Sequence, residues 1–545
     1  MHKRIYLLGL LTVLFTLNAC FKGEKVDIII HNAKVHTMDQ EGTIAEAIAI
    51  HEGVIIAVGP EREILNRFRA DKFINAQKKD VIPGFHDGHG HIMSYAKQKM
   101  VANLYGATSY YDMLMRVEEF HEKNPSEFIV GRGWDQSLWD VDTFPTNALL
   151  NERFPDIPVA LTRVDGHSML VNDVLLQLTG LDTITSIAGG EVVRKNGKPT
   201  GLLLDNAIDV VTAIVPKPNK EQLTAKIKEV EQELFSYGIT HVHEAGVYAD
   251  DRDLLLELYA DGILKLNTYL MLFPSAENKR FIRENGKVIE GNLSIRSMKV
   301  MLDGALGSHG ACMLSPYSDL VHSQGLRLID DSTLHEVAAF AVEQGYQLNA
   351  HCIGDSANRT MLDCALKHVA GESDHRWRIE HAQVVHPDDM ERFNLSGVIP
   401  SIQPTHATSD YRWAEKHIGS ERLTGAYAYK TLLNVRNMMV IGTDFPIEAI
   451  DPFATIHAAV QRKNTDNEPT GGFLMEEALT LAETLRGMTI WSAYGCFEEA
   501  TVGSIEKGKR ANIAILDYPL VSKPVFEPNY AYCTMIDGGI VYSQE

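Results

Sequence analysis

The sequence predicts an α/β chain: a closed (β/α)8 barrel of the TIM type, a small β-sandwich assembled from both termini, and a large insertion after the first barrel strand. Three observations lead there. Eight short apolar runs alternate with helical patterns, as in a parallel sheet wrapped by its connecting helices. Strand and hairpin patterns stand at both ends of the chain. The distance from His91 to Ile239 is far more than one βα unit needs.

The N-terminus comes first. Lys3 and Arg4 precede an apolar run over 5–17 that is too short to span a bilayer comfortably. A basic start, an apolar middle and a small residue before cleavage read as an export signal over 1–19. Leu17-Asn18-Ala19-Cys20 resembles the bacterial lipobox, in which the cysteine is lipidated and becomes the mature N-terminus. The expectation is a bacterial lipoprotein anchored through Cys20, with a linker over 20–25, facing the periplasm or cell surface. Ordinary cleavage or an uncleaved anchor is the alternative.

Residues 26–35, apolar and β-branched around Asn32, read as a hairpin, and 45–50 with 54–59 as a second, turning at His51-Glu52-Gly53. At the far end, 511–517 reads as a strand. Residues 530–535 and 540–542 flank Asp537-Gly538-Gly539, a strong hairpin turn. These pieces place the composite β-domain at 26–80 and 500–545, the barrel at 81–100 and 216–499, and the insertion at 101–215. Barrel strands are expected near 85–89, 239–243, 264–272, 298–302, 347–353, 377–381, 398–403 and 438–443. A helix over 220–237 leads into the second. Long excursions from a barrel rim often cover the active site. Within this one, Trp134 and His167 are candidates for substrate contact, although buried aromatics and histidines are more often structural.

Composition narrows the partners. With 51 basic and 72 acidic residues the formal charge is −21, which argues against nucleic acid or an anionic membrane surface. Contact with a membrane is expected only through the N-terminal lipid. None of the six cysteines forms a C-x-x-C pair, so buried free thiols are the default.

Chemistry concentrates at the carboxyl ends of the barrel strands, where such barrels place their active sites. Pro83-Gly84-Phe85-His86-Asp87-Gly88-His89-Gly90-His91 ends strand one; residues i and i+2 of a strand share a face, so His89 and His91 project together. Strand four carries Lys299, with Asp303-Gly304 just after. Strands five, six and eight end in His351, His381 and Asp444. Each has an ordinary reading: a core histidine bonded to a carbonyl, a helix cap, a lysine paired with Asp303. Together, at one end of one barrel, they read as a metal site. Imidazole and carboxylate suit Zn²⁺ or a similar divalent ion. Two ions fit the ligand count if Lys299, carboxylated by CO₂, bridges them. His241-Val242-His243 is a second His-x-His but lacks the Pro-Gly entry; it is expected beside the metal ligands or facing substrate.

These residues resemble the amidohydrolase superfamily of metal-dependent hydrolases, nearest the branch of N-substituted formamide deformylases and related exoenzyme-like members. The resemblance rests on Pro83-Gly84-Phe85 with the His pair, Lys299 with Asp303-Gly304-Ala305-Leu306-Gly307-Ser308, and His351 with Gly354-Asp355. It continues through Glu380-His381-Ala382-Gln383, Gln403-Pro404-Thr405-His406-Ala407, Asp444-Phe445-Pro446 and Gly503-Ser504-Ile505 with Gly508-Lys509. It implies that His89, His91 and Asp444 hold one metal and His351 and His381 the other, joined by carboxylated Lys299. It also implies that His406 polarises the substrate carbonyl. Gln403 is expected to touch substrate. His309 stands where the family commonly has Arg, and Asn512 where its tail usually has Asp.

The expected activity is hydrolysis of a non-peptide carbon–nitrogen bond in a small amide-type substrate by metal-activated hydroxide, with Asp444 as general acid–base. The alternatives are a dipeptidase, lactonase or cyclic-amide hydrolase on the same site, or a non-catalytic lipoprotein that binds metal or solute. A homodimer is compatible with the sequence.

Overall fold

The computed structural model describes residues 23–544 apart from 141–142, 164–167, 185–186, 188–189, 217–218, 372–373 and 522. The expected signal over 1–19 and Cys20 lie outside the described residues. The chain divides into two compact units, Met1–His91 with Glu231–Glu545, and Ile92–Val230. Among the described residues no helix is long and apolar enough to cross a membrane.

The first unit holds the barrel. Its strands are β1 (Phe85–Gly90), β2 (Ile239–Val247), β3 (Asn267–Leu272), β4 (Leu293–Met301), β5 (Gln347–Cys352), β6 (Arg378–His381), β7 (Ile399–Ile402) and β8 (Val440–Ile441). Each is parallel to the next along the path from β1 to β8. β1, β3, β5, β6, β7 and β8 are buried along their whole length, as strands covered on both faces must be.

The circle is completed just past the end of β8. Asp444 N–H donates to His89 O at 2.8 Å, and His91 N–H donates to Phe445 O at 2.9 Å. The Asp87 carboxylate accepts from the Thr443 amide at 3.0 Å and its hydroxyl at 2.6 Å. Only glycine tolerates this approach: a Cβ on Gly442 would sit 2.4 Å from His89 N, and one on Gly88 2.1 Å from Val440 Cγ1. The closure therefore fixes the first histidine pair against the last carboxylate.

The termini build two packed sheets. One orders Val54–Gly59, Ala47–His51, Glu24–His31 and Phe68–Asn75. The other orders Gly539–Ser543, Ala531–Ile536, Ile513–Leu516, Asp80–Pro83, Lys34–His36 and Ile44–Ala45, mixing both chain ends. Ile30, Ile48, Ile55, Val81, Ile513 and Met535 share the core between them. The hairpins expected at 45–59 and 530–542 are present, with left-handed Glu52, Gly53, Asp537 and Gly538 in their turns. The hairpin expected at 26–35 is not. Glu24–His31 pairs with Ala47–His51 and Phe68–Asn75 instead, while Lys34–His36 pairs in the other sheet. Asn32, at φ 51°, turns the chain between sheets rather than back on itself.

The second unit, which contains residues 101–215, is a six-stranded mixed sheet with a core on each face. Alternate residues sort to opposite sides: Val159 and Leu161 to one core, Ala160 to the other. Trp134 is fully buried there, and its indole N–H donates to Leu161 O at 2.7 Å. It is a core residue of that unit. His167 lies outside the described residues.

Candidate metal centre

The strand ends bring the expected ligands together. His91 Nε2 lies 3.0 Å and His89 Nε2 3.6 Å from Asp444 Oδ1. The ring of His381 stands 5.0 Å from that of His89 and 4.4 Å from that of His351. Lys299 Nζ, buried, lies 3.5 Å from His89 Nε2. Its neighbour is not Asp303, which instead accepts backbone N–H bonds from Cys312, Ile353 and Gly354 and pins the loops after β4 and β5 together.

What aims these groups lies behind the rings. Glu380 Oε2 pairs with His89 Nδ1 at 2.6 Å, and its other oxygen accepts from Arg378 Nε at 2.8 Å. Arg378 also donates to the Gly88 carbonyl at 2.7 Å. The carboxylate thus accepts a hydrogen bond from Nδ1–H and leaves the Nε2 lone pair of His89 facing Asp444. Gln403 Oε1 does the same for His381, accepting from Nδ1 at 2.8 Å, while Gln403 Nε2 donates to Ser401 O at 3.3 Å. Gln403 is buried with both ends of its amide engaged, so in this structure it orients a histidine.

Three of the four histidines are held neutral, while for His91 burial is outweighed by Asp444 and the ring is raised. Burial pushes His89 down to about 4 and His351 to about 3, with Lys299 adding to both. Burial, with His351 beside it, holds His381 well below its ordinary value. These three are therefore neutral donors at pH 7. Burial opposes ionisation of Asp444, but the His406 and His91 rings outweigh it and hold its carboxyl well below the usual range. Lys299 is lowered to about 8 by burial, with Glu380 and Asp444 opposing. Burial lowers His406 too, but Asp444 outweighs it and raises the ring to about 9. His406 Nε2 lies 3.3 Å from Asp444 Oδ2.

A divalent cation fits this set. His351 Nε2 and Asp444 Oδ1 are buried without a hydrogen bond, although histidine nitrogens crowd the carboxylate. Buried polar atoms are rarely left so unless something else engages them. His89, His381 and Asp444 present ligand atoms within 4.8 Å of one another. His381 and Asp444 also adopt φ of 77° and 63°, a left-handed backbone that costs a non-glycine residue about 1–3 kcal/mol and clusters at functional sites.

The amidohydrolase family profile matches residues 72–542. The chain belongs to the amidohydrolase family. Putative amidohydrolase YtcJ of Bacillus subtilis (strain 168) is 29% identical over 532 residues, 94% of this chain and 99% of that protein. The N-substituted formamide deformylase of Arthrobacter pascens is 26% identical over 525 residues, covering 90% and 93%. A crystal structure of an uncharacterized metal-dependent hydrolase from Pyrococcus furiosus superposes with a TM-score of 0.75 at 26% identity, over 92% of this chain and 100% of that one. Like its family, the chain is a metal-dependent hydrolase on a TIM-type barrel. His309, in the loop after β4, pairs through Nε2 with Asp319 Oδ1 at 3.0 Å.

Several site residues carried no expectation of their own. Asp87, Arg378 and Glu380 are buried charged groups in strands, and that was the available signal. Arg378 and Glu380 stand at i and i+2, so they share a face and neutralise one another.

Proposed function

We propose that this amidohydrolase cleaves a non-peptide, amide-type carbon–nitrogen bond of a small molecule at two divalent ions, zinc by ligand chemistry. His89, His91 and Asp444 would hold one, His351 and His381 the other, and Lys299, carboxylated, would bridge them. Ions held there supply Lewis acidity and lower the pKa of water from ~15.7 toward ~7.

The chain's own residues supply the rest. Asp444 takes the proton of the attacking water as its oxygen bonds the carbonyl carbon. It passes that proton to nitrogen as the carbon–nitrogen bond breaks, so an acid and an amine leave with no change of oxidation state. His406, donating from Nε2, steadies negative charge growing on the carbonyl oxygen. Glu380 and Gln403 keep the ligand rings aimed. One observation carries this reading: the Asp444 carboxylate turns one oxygen to His89 and His91 and the other to His406, so ligand and proton carrier are one group. Its kinship with an N-substituted formamide deformylase favours that substrate branch over peptides.

The test is turnover by the zinc-loaded protein across N-formyl amines, N-acyl amines, dipeptides, lactones and cyclic amides. Hydrolysis of the first two classes is expected. Exclusive turnover of a later class reassigns the bond, and no turnover anywhere favours a metal- or solute-binding protein. The same proposal places the chain outside a bacterial membrane on a lipid at Cys20. Fatty-acid labelling lost in Cys20→Ala is the expected result.

A further inference from the structure

Away from the barrel mouth, the helices on either side of β5 bring a second set of metal-binding donors together. Asp331–Gln344 carries His335, and Asp355–His368 carries Cys364 and His368 four residues apart on one face. His335 Nδ1 lies 3.0 Å from His368 Nε2 and 3.6 Å from Cys364 Sγ. Their ligand atoms all fall within 4.8 Å of one another. We propose that His335, Cys364 and His368 bind a thiophilic divalent cation, Zn²⁺ by preference, that clamps these two helices.

The two separations from His335 Nδ1 are close to those of a tetrahedral centre. Bonds of about 2.0–2.1 Å to nitrogen and about 2.3 Å to sulfur separate two ligand nitrogens by about 3.3 Å, and nitrogen from sulfur by about 3.6 Å. Without an ion, His335 Nδ1 is the common partner of the Cys364 thiol and the His368 ring. A cation at the common point lets all three lone pairs converge. His335 and His368 are half-buried while Cys364 is fully buried, so an ion can enter from solvent and leave a fourth position for water. Burial pushes the Cys364 thiol up to about 12, so ligation must expel its proton, and affinity rises with pH. His86, His243 and Cys496 also cluster, but Arg378 Nη1 donates to His243 Nδ1 at 2.8 Å and sets a positive charge beside any ion there.

Cobalt makes the test specific, because the catalytic ligands include no sulfur. Holoenzyme titrated with Co²⁺ is expected to gain a near-ultraviolet thiolate-to-cobalt band, retained in Cys496→Ser and lost in Cys364→Ser. No band, or a band unchanged in Cys364→Ser, overturns the proposal. His368→Ala, at a half-buried position, guards against misfolding of the cysteine variant. With its circular dichroism intact it must lose both the band and the rise in Tm that added Zn²⁺ gives the parent.

Discussion

Two His-x-His pairs line the same barrel, and they have opposite fates. His89 and His91 end β1 against Asp444, whose carboxyl is held well below its usual range. His241 and His243 lie on β2 beside His86, which stacks on His241 at 3.6 Å. There Arg378 donates to His243 Nδ1, and Glu498, 3.7 Å from His241 Nε2, is pushed up to about 7 by burial. The first pair has an anion in front and, behind His89, an acceptor. The second has a guanidinium at its back and a carboxyl that readily takes a proton. Histidine density alone does not make a candidate metal site; the charge and hydrogen bonding around each ring separate the two pairs.

The comparison can be broken in graded steps. Asp444→Ala, which removes both anion and proton carrier, should lower kcat by at least roughly 10²-fold on a confirmed substrate. An unchanged kcat would take Asp444 out of that role. Glu380→Gln keeps the shape behind His89 but not the charge, and should weaken metal affinity about 10–100-fold in chelator competition; an unchanged affinity would make the acceptor incidental. Lys299→Ala should bring bound metal from two ions toward one by elemental analysis, partly restored by short carboxylic acids. Full occupancy without them would exclude a lysine bridge.

The smallest effect concerns the second pair. His86 is held near 3, against an ordinary 6.5, by burial, with Arg510 and Lys509 adding. A lowered pKa means the folded state favours the neutral ring. Its stabilisation is complete above about 6.5 and is lost as pH falls toward about 3. His86→Phe should therefore flatten the decline of the unfolding midpoint between pH 7 and 4 while leaving metal content unchanged. An equally steep decline would place acid sensitivity elsewhere.

Much of this was legible in the sequence. All eight barrel strands lie where short strand-like runs alternate with helical patterns in the sequence. The candidate ligands come from reading only the carboxyl ends of those strands, and the structure brings their side chains together. What stayed hidden depends on pairing across the fold. Residues 26–35 have hairpin chemistry, but the partners of Glu24–His31 come from 47–51 and 68–75. Nothing local in Gln403 says that its amide faces His381 rather than substrate, or in Glu380 that it meets a histidine on β1. Trp134 is a candidate contact whose ordinary reading is structural, and only the fold shows its indole N–H bonded to a buried carbonyl.

The segment after β8 has one more consequence. The hydrogen bonds from Thr443 to Asp87 on β1 span a sequence separation of 356 residues, and the next residue is Asp444. The proposed ligand set can therefore be complete only after residue 444 has been made. If these residues hold the ions as proposed, a fragment truncated before residue 440 should emerge unable to retain them.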